Sequence, residues 1–288
     1  MTDILRDHLQ VALNSTIETI EPVSGGSINE AARISLKSGE ARFVKWNASP
    51  TGNMFKTEAK GLETLMMADS DLVFPEIISQ GEVPDTDIQF LIMDYFSPHE
   101  TNGSFFEKFG RELARLHRNG NEVYGLGYDN FIGRLPQDNT PSKDWIDFFI
   151  ERRIRPQFEI AVDGDQLPYT LNQNFERLLE MLPDLLPEEK PSLLHGDLWS
   201  GNYLCVSNDQ AALIDPAVYY GNREIELAFT KLFGGFSYEF YAAYQEAFPI
   251  QPGFDNRVDI YNLYPLLVHV NMFGRAYASQ VQAILNNY

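Results

Sequence analysis

Three polar residues in the second half of the chain have the types and the spacing needed for phosphoryl-transfer chemistry. Asp197 could accept a hydroxyl proton, Asn202 follows five residues later, and Asp215 follows thirteen residues after that. An amide oxygen and a carboxylate are hard donors that suit Mg²⁺, which keeps water and substrate phosphates in the rest of its shell. We therefore predict that Asp197 is the catalytic base and that Asn202 and Asp215 hold Mg²⁺ on the phosphates of ATP.

The order of these residues matters more than any one of them. Asp and Asn are common in turns, so either residue alone would indicate only a loop. Together with His195 they follow the order His-x-Asp-x-x-x-x-Asn and then Asp, which is typical of kinase-like catalytic loops. The apolar runs 203–206 and 211–214 predict a hairpin that returns Asp215 to the neighbourhood of Asn202.

A lysine in the first third of the chain provides the expected partner for the ATP phosphates. Lys45 lies in a predicted strand over 41–46, and Glu58 lies thirteen residues later in a segment with helical apolar spacing. A strand lysine paired with a helix glutamate holds the α- and β-phosphates in kinases. Glu63 is an alternative partner, and the position of Glu58 nearer the start of the helix favours Glu58.

A glycine turn separates two predicted strands within 17–36. Its residues Gly25, Gly26 and Ser27 are expected to lie over the ATP phosphates, because backbone without bulky side chains can approach closely and donate N–H groups. Taken alone, a Gly-Gly pair indicates only a hairpin, and the full G-x-G-x-x-G pattern is missing. Lys45 is what favours the nucleotide-binding interpretation.

The remaining patterns predict an α+β, bilobal fold. Residues 1–96 read as a nucleotide-binding lobe with a helix over 3–13, a five-stranded antiparallel sheet and the helix that holds Glu58. Strands over 73–78 and 89–93, separated by a polar turn at 82–87, complete that sheet. Asp94 and Phe96 then form the hinge, where backbone groups would contact adenine.

Residues 97–288 read as a mainly helical lobe for catalysis and acceptor binding. The patterns predict helices over 110–117, 145–158 and 171–186, the second of them ended by Pro156. A turn-rich loop over 121–143 could reach over an acceptor pocket.

The region after Asp215 argues for a small acceptor. Only eight residues separate Asp215 from Glu224, where another helix is expected to begin, and a protein kinase needs a longer activation segment. Glu226 is expected to accept hydrogen bonds from the catalytic loop. His269 and Asn271 could line the acceptor pocket, although burial in the core is the preferred interpretation.

Composition excludes several classes of partner. The net charge of −19 argues against nucleic acid and against anionic membranes, because phosphate-rich surfaces require a basic footprint. The single cysteine, Cys205, cannot form an intrachain disulfide, which favours a reducing cytoplasm. The acidic N-terminal segment does not resemble a signal peptide, and no apolar run is long enough for a membrane span. We expect a cytoplasmic monomer.

The chain resembles the fructosamine/ketosamine 3-kinases, within the aminoglycoside-phosphotransferase-like group of protein-kinase-fold enzymes. The resemblance extends over nearly the whole chain and rests on Ser-Gly-Gly-Ser-Ile-Asn at 24–29, Leu-His-Gly-Asp-Leu-Trp-Ser-Gly-Asn at 194–202, Asp-Pro-Ala-Val-Tyr-Tyr-Gly at 215–221 and Leu-Phe-Gly-Gly-Phe at 232–236. It implies transfer of the γ-phosphoryl group of ATP, with Mg²⁺, to the 3-hydroxyl of a small-molecule or protein-bound ketosamine. Ribulosamines or erythrulosamines would be favoured over fructosamines, and the cellular role would be deglycation.

Two other functions compete with this one. A kinase of the same fold could act on an aminoglycoside, choline or a plain sugar. A pseudokinase could bind nucleotide without transferring phosphate, although the complete set of Lys45, Asp197, Asn202 and Asp215 argues against it.

Overall fold

The computed structural model describes residues 1–23 and 28–288, and a five-stranded antiparallel sheet forms its N-terminal part. The strands lie in the order β1-β2-β3-β5-β4. Their bounds, with those of the two helices that cover the sheet, are α1 (Asp3–Leu13), β1 (Ile17–Pro22), β2 (Glu30–Leu36), β3 (Ala41–Asn47), α2 (Met54–Met66), β4 (Ile77–Glu82) and β5 (Gln89–Asp94). The predicted α+β class and five-stranded sheet are confirmed.

The two faces of the sheet have different roles because side chains alternate along a strand. Val44 and Trp46 of β3 face α1 and pack in a core cluster with Leu5 and Leu9. The opposite face is covered by α2, whose Met54, Phe55 and Ala59 pack against Leu91 and Met93 of β5 and against Phe43. Lys45 therefore lies on the α2 side, as predicted.

The predicted bounds of the fourth sheet strand, 73–78, are wrong. The backbone of Val73 donates to Ala211 O at 2.9 Å and accepts from Leu213 N at 2.9 Å, so it pairs with a strand of the C-terminal part. Pro75 has no N–H to continue a ladder. The sheet strand begins only at Ile77 and ends at Glu82, the first residue of the predicted polar turn.

The C-terminal part is mainly helical, with short hairpins around the functional loop. Its elements are α3 (Phe105–His117), β6 (Asn130–Ile132), β7 (Leu135–Gln137), α4 (Trp145–Phe149), α5 (Arg155–Asp163), α6 (Asn172–Leu185), β8 (Ser192–Leu194), β9 (Tyr203–Val206), β10 (Gln210–Leu213), β11 (Tyr219–Gly221), α7 (Arg223–Lys231), α8 (Tyr238–Ala247), α9 (Val258–Phe273) and α10 (Ala278–Leu285). The loop predicted over 121–143 thus contains the β6–β7 hairpin. Among the described residues, no helix has both the length and the apolar character to cross a bilayer.

Two predicted helix boundaries in this part are wrong. Helix α3 begins at Phe105, five residues before its predicted start. Pro156 does not end a helix, because a π-helical turn over Ile150–Ile154 joins α4 to α5 and places the proline in the first turn of α5. A missing N–H is tolerated in a first turn, since those groups have no intrahelical partner.

A buried ion pair joins α7 to the start of α9. The guanidinium of Arg257 donates to both carboxylate oxygens of Glu224, at 2.7 and 2.6 Å. The Glu224 side chain is fully buried, and that of Arg257 is 10% exposed. Removal of one member of such a pair leaves a buried charge without its counter-ion, which costs more than the pair itself contributes.

We therefore expect Arg257→Ala to lower the free energy of unfolding by about 3–5 kcal/mol, measured by urea denaturation. Arg111→Ala is the matched control, because Arg111 pairs with Glu246 at 2.7 Å on the surface and is 39% exposed. Exposed pairs contribute less than about 1 kcal/mol. Equal losses in the two variants would contradict the importance of the buried pair.

Candidate active site

The turn after β8 has a backbone that only glycine fits. Gly196 has φ of 84°, and a Cβ at that position would lie 2.0 Å from Ala217 O. The carboxylate of Glu226 on α7 accepts from the backbone N–H groups of His195, at 3.1 Å, and of Gly196, at 2.6 Å. The expected contact between Glu226 and the loop is therefore present, and it fixes the direction in which Asp197 leaves the turn.

Asp197 and Asn202 lie side by side. The Asn202 amide donates to the backbone O of Asp197 at 2.8 Å and to its Oδ2 at 3.0 Å. Burial and the negative charge of Asp215 raise the pKa of Asp197 well above its usual value, and the hydrogen bond from Asn202 only partly opposes them. A cation placed between the two carboxylates would restore the ionised form that a base requires.

The β9–β10 hairpin returns the chain to this loop, as predicted. Ile214 N donates to Asn202 O at 3.1 Å, and His195 Nε2 donates to Ile214 O at 2.9 Å. Asp215 follows in a left-handed conformation, φ 58°, which Asp tolerates better than most residues. Burial lowers the pKa of His195, so the ring is neutral and braces the loop.

Lys45 joins the sheet to this hairpin. Its Nζ lies 2.8 Å from Glu58 Oε1 and also contacts Asp215 Oδ1. Glu63 is exposed, so Glu58 is the partner. Burial would lower the pKa of Lys45, but the charges of Asp215 and Glu58 outweigh burial and raise it. The lysine is therefore a permanent buried cation between the two parts of the chain.

A cavity of about 430 Å³ opens between the sheet and the hairpin. Lys45, Asn202 and Asp215 line one end, and Asp94 and Phe96 line the other end, with apolar walls from Ala31, Phe43, Met93, Leu204 and Ile214. Within the described residues the N–H of Phe96 has no hydrogen-bond acceptor. Trp199 also lines this cavity, and sequence reasoning used it only as part of a motif.

The predicted glycine-turn residues lie outside the described residues. These are Gly25, Gly26 and Ser27. Their neighbours on the C-terminal side, Ile28 and Asn29, line the cavity.

Two smaller cavities border Asp197. One, of about 20 Å³, is lined by Tyr264 and His269 and has room for about one water molecule. His269 donates from Nδ1 to Pro265 O at 2.7 Å and its ring packs against Phe233, which agrees with the preferred core interpretation. The other, of about 100 Å³, is lined by Asn130 and Phe131 of the β6–β7 hairpin. Asn271 does not reach either cavity and instead donates to Gln157 at 2.8 Å. Sequence reasoning missed Asn130 and Phe131, since a turn-rich segment gives no sign of what it contacts.

The free oxygens suit a magnesium ion. The Asn202 amide nitrogen is already engaged by Asp197, which leaves Oδ1 without a partner among the described residues. Asp215 uses Oδ1 for Lys45, and its side chain is 40% exposed to the cavity. One amide and one carboxylate oxygen are a typical protein contribution to Mg²⁺ sites that also hold substrate phosphates.

Similarity to known proteins covers the whole chain. The model of the family described as fructosamine kinase matches residues 1–288. A protein named "Protein-ribulosamine 3-kinase, chloroplastic" from Arabidopsis thaliana is 39% identical, over 94% of this chain and 83% of its own. "Probable ketoamine kinase" of Lactiplantibacillus plantarum is 36% identical, over 94% of this chain and 95% of its own.

Solved structures agree in fold. A crystal structure assigned as a fructosamine-3-kinase from Thermobifida fusca superposes with a TM-score of 0.88 at 31% identity, covering 99% of this chain and 98% of its own. The aminoglycoside phosphotransferase APH(4)-Ia, in a ternary complex with AMP-PNP and hygromycin B, superposes with a TM-score of 0.67 at 17% identity, covering 99% and 98% of the two chains. The second likeness shows the protein-kinase-like fold alone. With a family match from end to end and several relatives above one-third identity, this chain belongs to the fructosamine kinase family.

Proposed function

We propose that this protein is an ATP-dependent kinase that phosphorylates the 3-hydroxyl of ketosamines and thereby serves deglycation. The observation that carries the proposal is the meeting of four side chains in a chain of the fructosamine kinase family. Lys45 and Asp215 line two neighbouring cavities, one of which also contacts Asn202 and the other Asp197, and Asn202 donates to Asp197 at 3.0 Å. Phosphoryl transfer depends mainly on positioning and on charge stabilisation, and these four side chains supply both.

The two parts of the fold would act as lobes, 1–96 for the nucleotide and 97–288 for catalysis and the acceptor. In this arrangement adenine occupies the apolar end of the 430 Å³ cavity, between Asp94 and Phe96. The N–H of Phe96, which has no acceptor in the described part of the chain, is a suitable donor to the base. Gly25, Gly26 and Ser27 would cover the phosphates, while Lys45, held by Glu58, neutralises their charge.

Asp197 would orient the acceptor hydroxyl and take its proton as the oxygen attacks the γ-phosphorus, while the bond from that phosphorus to the bridging oxygen breaks and ADP leaves. Asn202 and Asp215 are the proposed ligands of Mg²⁺, which when bound neutralises charge on the phosphates of ATP. Asn202 also fixes Asp197 through its amide, so one residue orients the base and contributes to the metal site. His195 donates to Ile214 O, next to Asp215, and has no direct role in transfer.

The short chain segment after Asp215 favours an acceptor that is a small molecule or an exposed group on a protein surface. Strand β11 begins at Tyr219 and α7 at Arg223, so no long segment lies between Asp215 and the next helix to bind an extended peptide. A ketosamine joined to a small amine or to an exposed lysine of a protein would satisfy this constraint. The net charge of −19 is compatible with a cationic amine and unfavourable for nucleic acid. We further propose a cytoplasmic monomer that makes no membrane contact.

The acceptor class is tested by incubation of the protein with Mg-ATP and separate ribulosamine, erythrulosamine, fructosamine, aminoglycoside and choline acceptors. We expect a new phosphate ester at the sugar 3-position of a ketosamine, located by phosphorus NMR. Phosphate on an aminoglycoside or on choline alone would assign a different small-molecule kinase. Nucleotide binding without any product would assign a pseudokinase.

The assigned base is tested by Asp197→Asn. We expect kcat to fall on the order of 10² to 10⁴, because the acceptor proton loses its carboxylate, while ATP binding measured by calorimetry is kept. Asp163→Asn is the control, since Asp163 is an exposed aspartate at the end of α5. A fully active Asp197→Asn enzyme would remove Asp197 from the mechanism.

Glu226 is proposed to position the catalytic loop by accepting hydrogen bonds from its backbone. Its carboxylate accepts from His195 N, Gly196 N and His117 Nε2, the last at 2.8 Å, while Tyr244 hydrogen-bonds the other nitrogen of His117 at 2.8 Å. Burial would raise the pKa of Glu226, but these hydrogen bonds and the nearby histidines outweigh it and lower the pKa. The ionised carboxylate is therefore the form that stabilises the folded protein.

This arrangement predicts a pH-dependent effect of Glu226→Gln. A carboxylate whose pKa is lowered by folding stabilises the protein above its unfolded pKa of about 4.3, and that stabilisation is lost as the pH falls through the folded value. At pH 7 we expect the free energy of unfolding of the variant to be about 1–3 kcal/mol lower than that of the native protein. The difference should shrink below about pH 4.3 in urea titrations. A difference that stays constant with pH would contradict an ionised Glu226.

A further inference from the structure

The β6–β7 hairpin of the C-terminal part reaches across to helix α2 of the sheet. Phe131 in β6 is half-buried and packs against the apolar cluster that contains Met54 and Phe55. Its ring tip also reaches the turn before α2, because a Cβ on Gly52 would lie 3.2 Å from Phe131 Cζ. One phenylalanine of the helical part thus packs against the core between α2 and the sheet.

Two further contacts hold α2 on the helical part. The Lys60 ammonium lies 5.1 Å from the centroid of the Tyr128 ring. Gly61 faces Val218, whose Cγ2 would lie 3.1 Å from a Cβ at that position, so the absence of a side chain permits close approach. Glu58 lies within the same three turns of α2 as these contacts. The position of Glu58 therefore depends on residues far from it in sequence.

The base of the hairpin is fixed by buried amide groups. Asn130 Nδ2 donates to Val218 O at 2.9 Å, and Gln137 Nε2 donates to Ala217 O at 3.1 Å and to Asn130 Oδ1 at 2.8 Å. Tyr264 OH donates to Gln137 Oε1 at 2.7 Å. Displacement of the hairpin would leave several buried polar groups unpaired, which is unfavourable.

A buried arginine completes this network. Arg153 is fully buried and donates to Asn139 Oδ1 at 2.7 Å, while Asn139 Nδ2 donates to Asn130 Oδ1 at 2.8 Å. Its guanidinium lies 4.0 Å from the centroid of the Tyr219 ring. The hairpin is therefore attached to the segment that begins two residues after Asp215, and it extends from there to α2.

We propose that Phe131 is a positioning residue for phosphoryl transfer, which acts by seating α2 so that Glu58 keeps Lys45 against the nucleotide phosphates. The inference rests on the proposed function and deepens it. In protein kinases the placement of the corresponding helix is controlled by a phosphorylated activation segment. Here a fixed hairpin from the catalytic part would hold the helix permanently in its active position.

The first test compares Phe131→Ala, Phe131→Leu and Phe254→Ala in the ketosamine kinase assay. We expect Phe131→Ala to lower kcat about 10- to 100-fold with KM for the ketosamine unchanged, because small misplacements of catalytic groups have effects of that size. Phe131→Leu should recover most of the activity. Phe254, half-buried against the C-terminal helices, should tolerate alanine with kcat unchanged.

The second test measures backbone hydrogen exchange in residues 54–66 of the same proteins. We expect faster exchange in α2 for Phe131→Ala only, and equal exchange for native protein and Phe254→Ala. Unchanged α2 exchange, an unchanged kcat in Phe131→Ala, or an equal loss of kcat in Phe254→Ala would each overturn the proposal. If the native protein phosphorylates no ketosamine, the proposed function fails, and the exchange of α2 still decides whether Phe131 seats the helix.

Discussion

The buried ammonium of Lys45 is the interaction on which the rest of the site depends. It contacts Glu58 of helix α2 and Asp215, which follows the β9–β10 hairpin, so it joins the two parts of the chain through charge. A buried cation is costly unless opposite charges surround it, and two carboxylates meet that requirement here. The same requirement keeps α2, β3 and the β9–β10 hairpin close together, and the 430 Å³ cavity lies between them.

The catalytic loop is held by hydrogen bonds from its own backbone N–H groups to a buried carboxylate. Glu226 accepts two consecutive N–H groups of the loop, and Gly196 allows the chain to pass next to Ala217 O. Glu226 is itself oriented by His117, and the neighbouring Glu224 fastens the same helix to α9 through Arg257. Rigid helices thus determine where Asp197 points, which suits a reaction that depends on the position of the base.

Elements and side-chain pairs could be predicted from the sequence where the pattern was local or where the spacing between residues limited the possible geometry. The Lys45 to Glu58 pair could be predicted because a strand and the next helix leave few ways to bring their side chains together, and the hairpin after Asn202 has a regular apolar pattern. The boundaries at Val73 and Pro156 could not be predicted from the sequence. Val73 pairs with a strand that is distant in sequence, and a π-helical turn continues the helix past Pro156. The hairpin at 130–137 was also missed, since the amide groups that hold it find their partners about eighty residues away.

The short connection after Asp215 and the β6–β7 hairpin are structurally linked, because the hairpin is hydrogen-bonded to the backbone of that connection. Only eight residues lie between Asp215 and Glu224, too few for the long activation segment that controls the corresponding helix in protein kinases. The hairpin contacts α2 through Phe131 and is bonded to Ala217 O and Val218 O at its base. The residues next to Asp215 and the helix with Glu58 are therefore tied to the same rigid element. If Phe131 seats α2 as proposed, Glu58 stays beside Lys45 without a separate activation step.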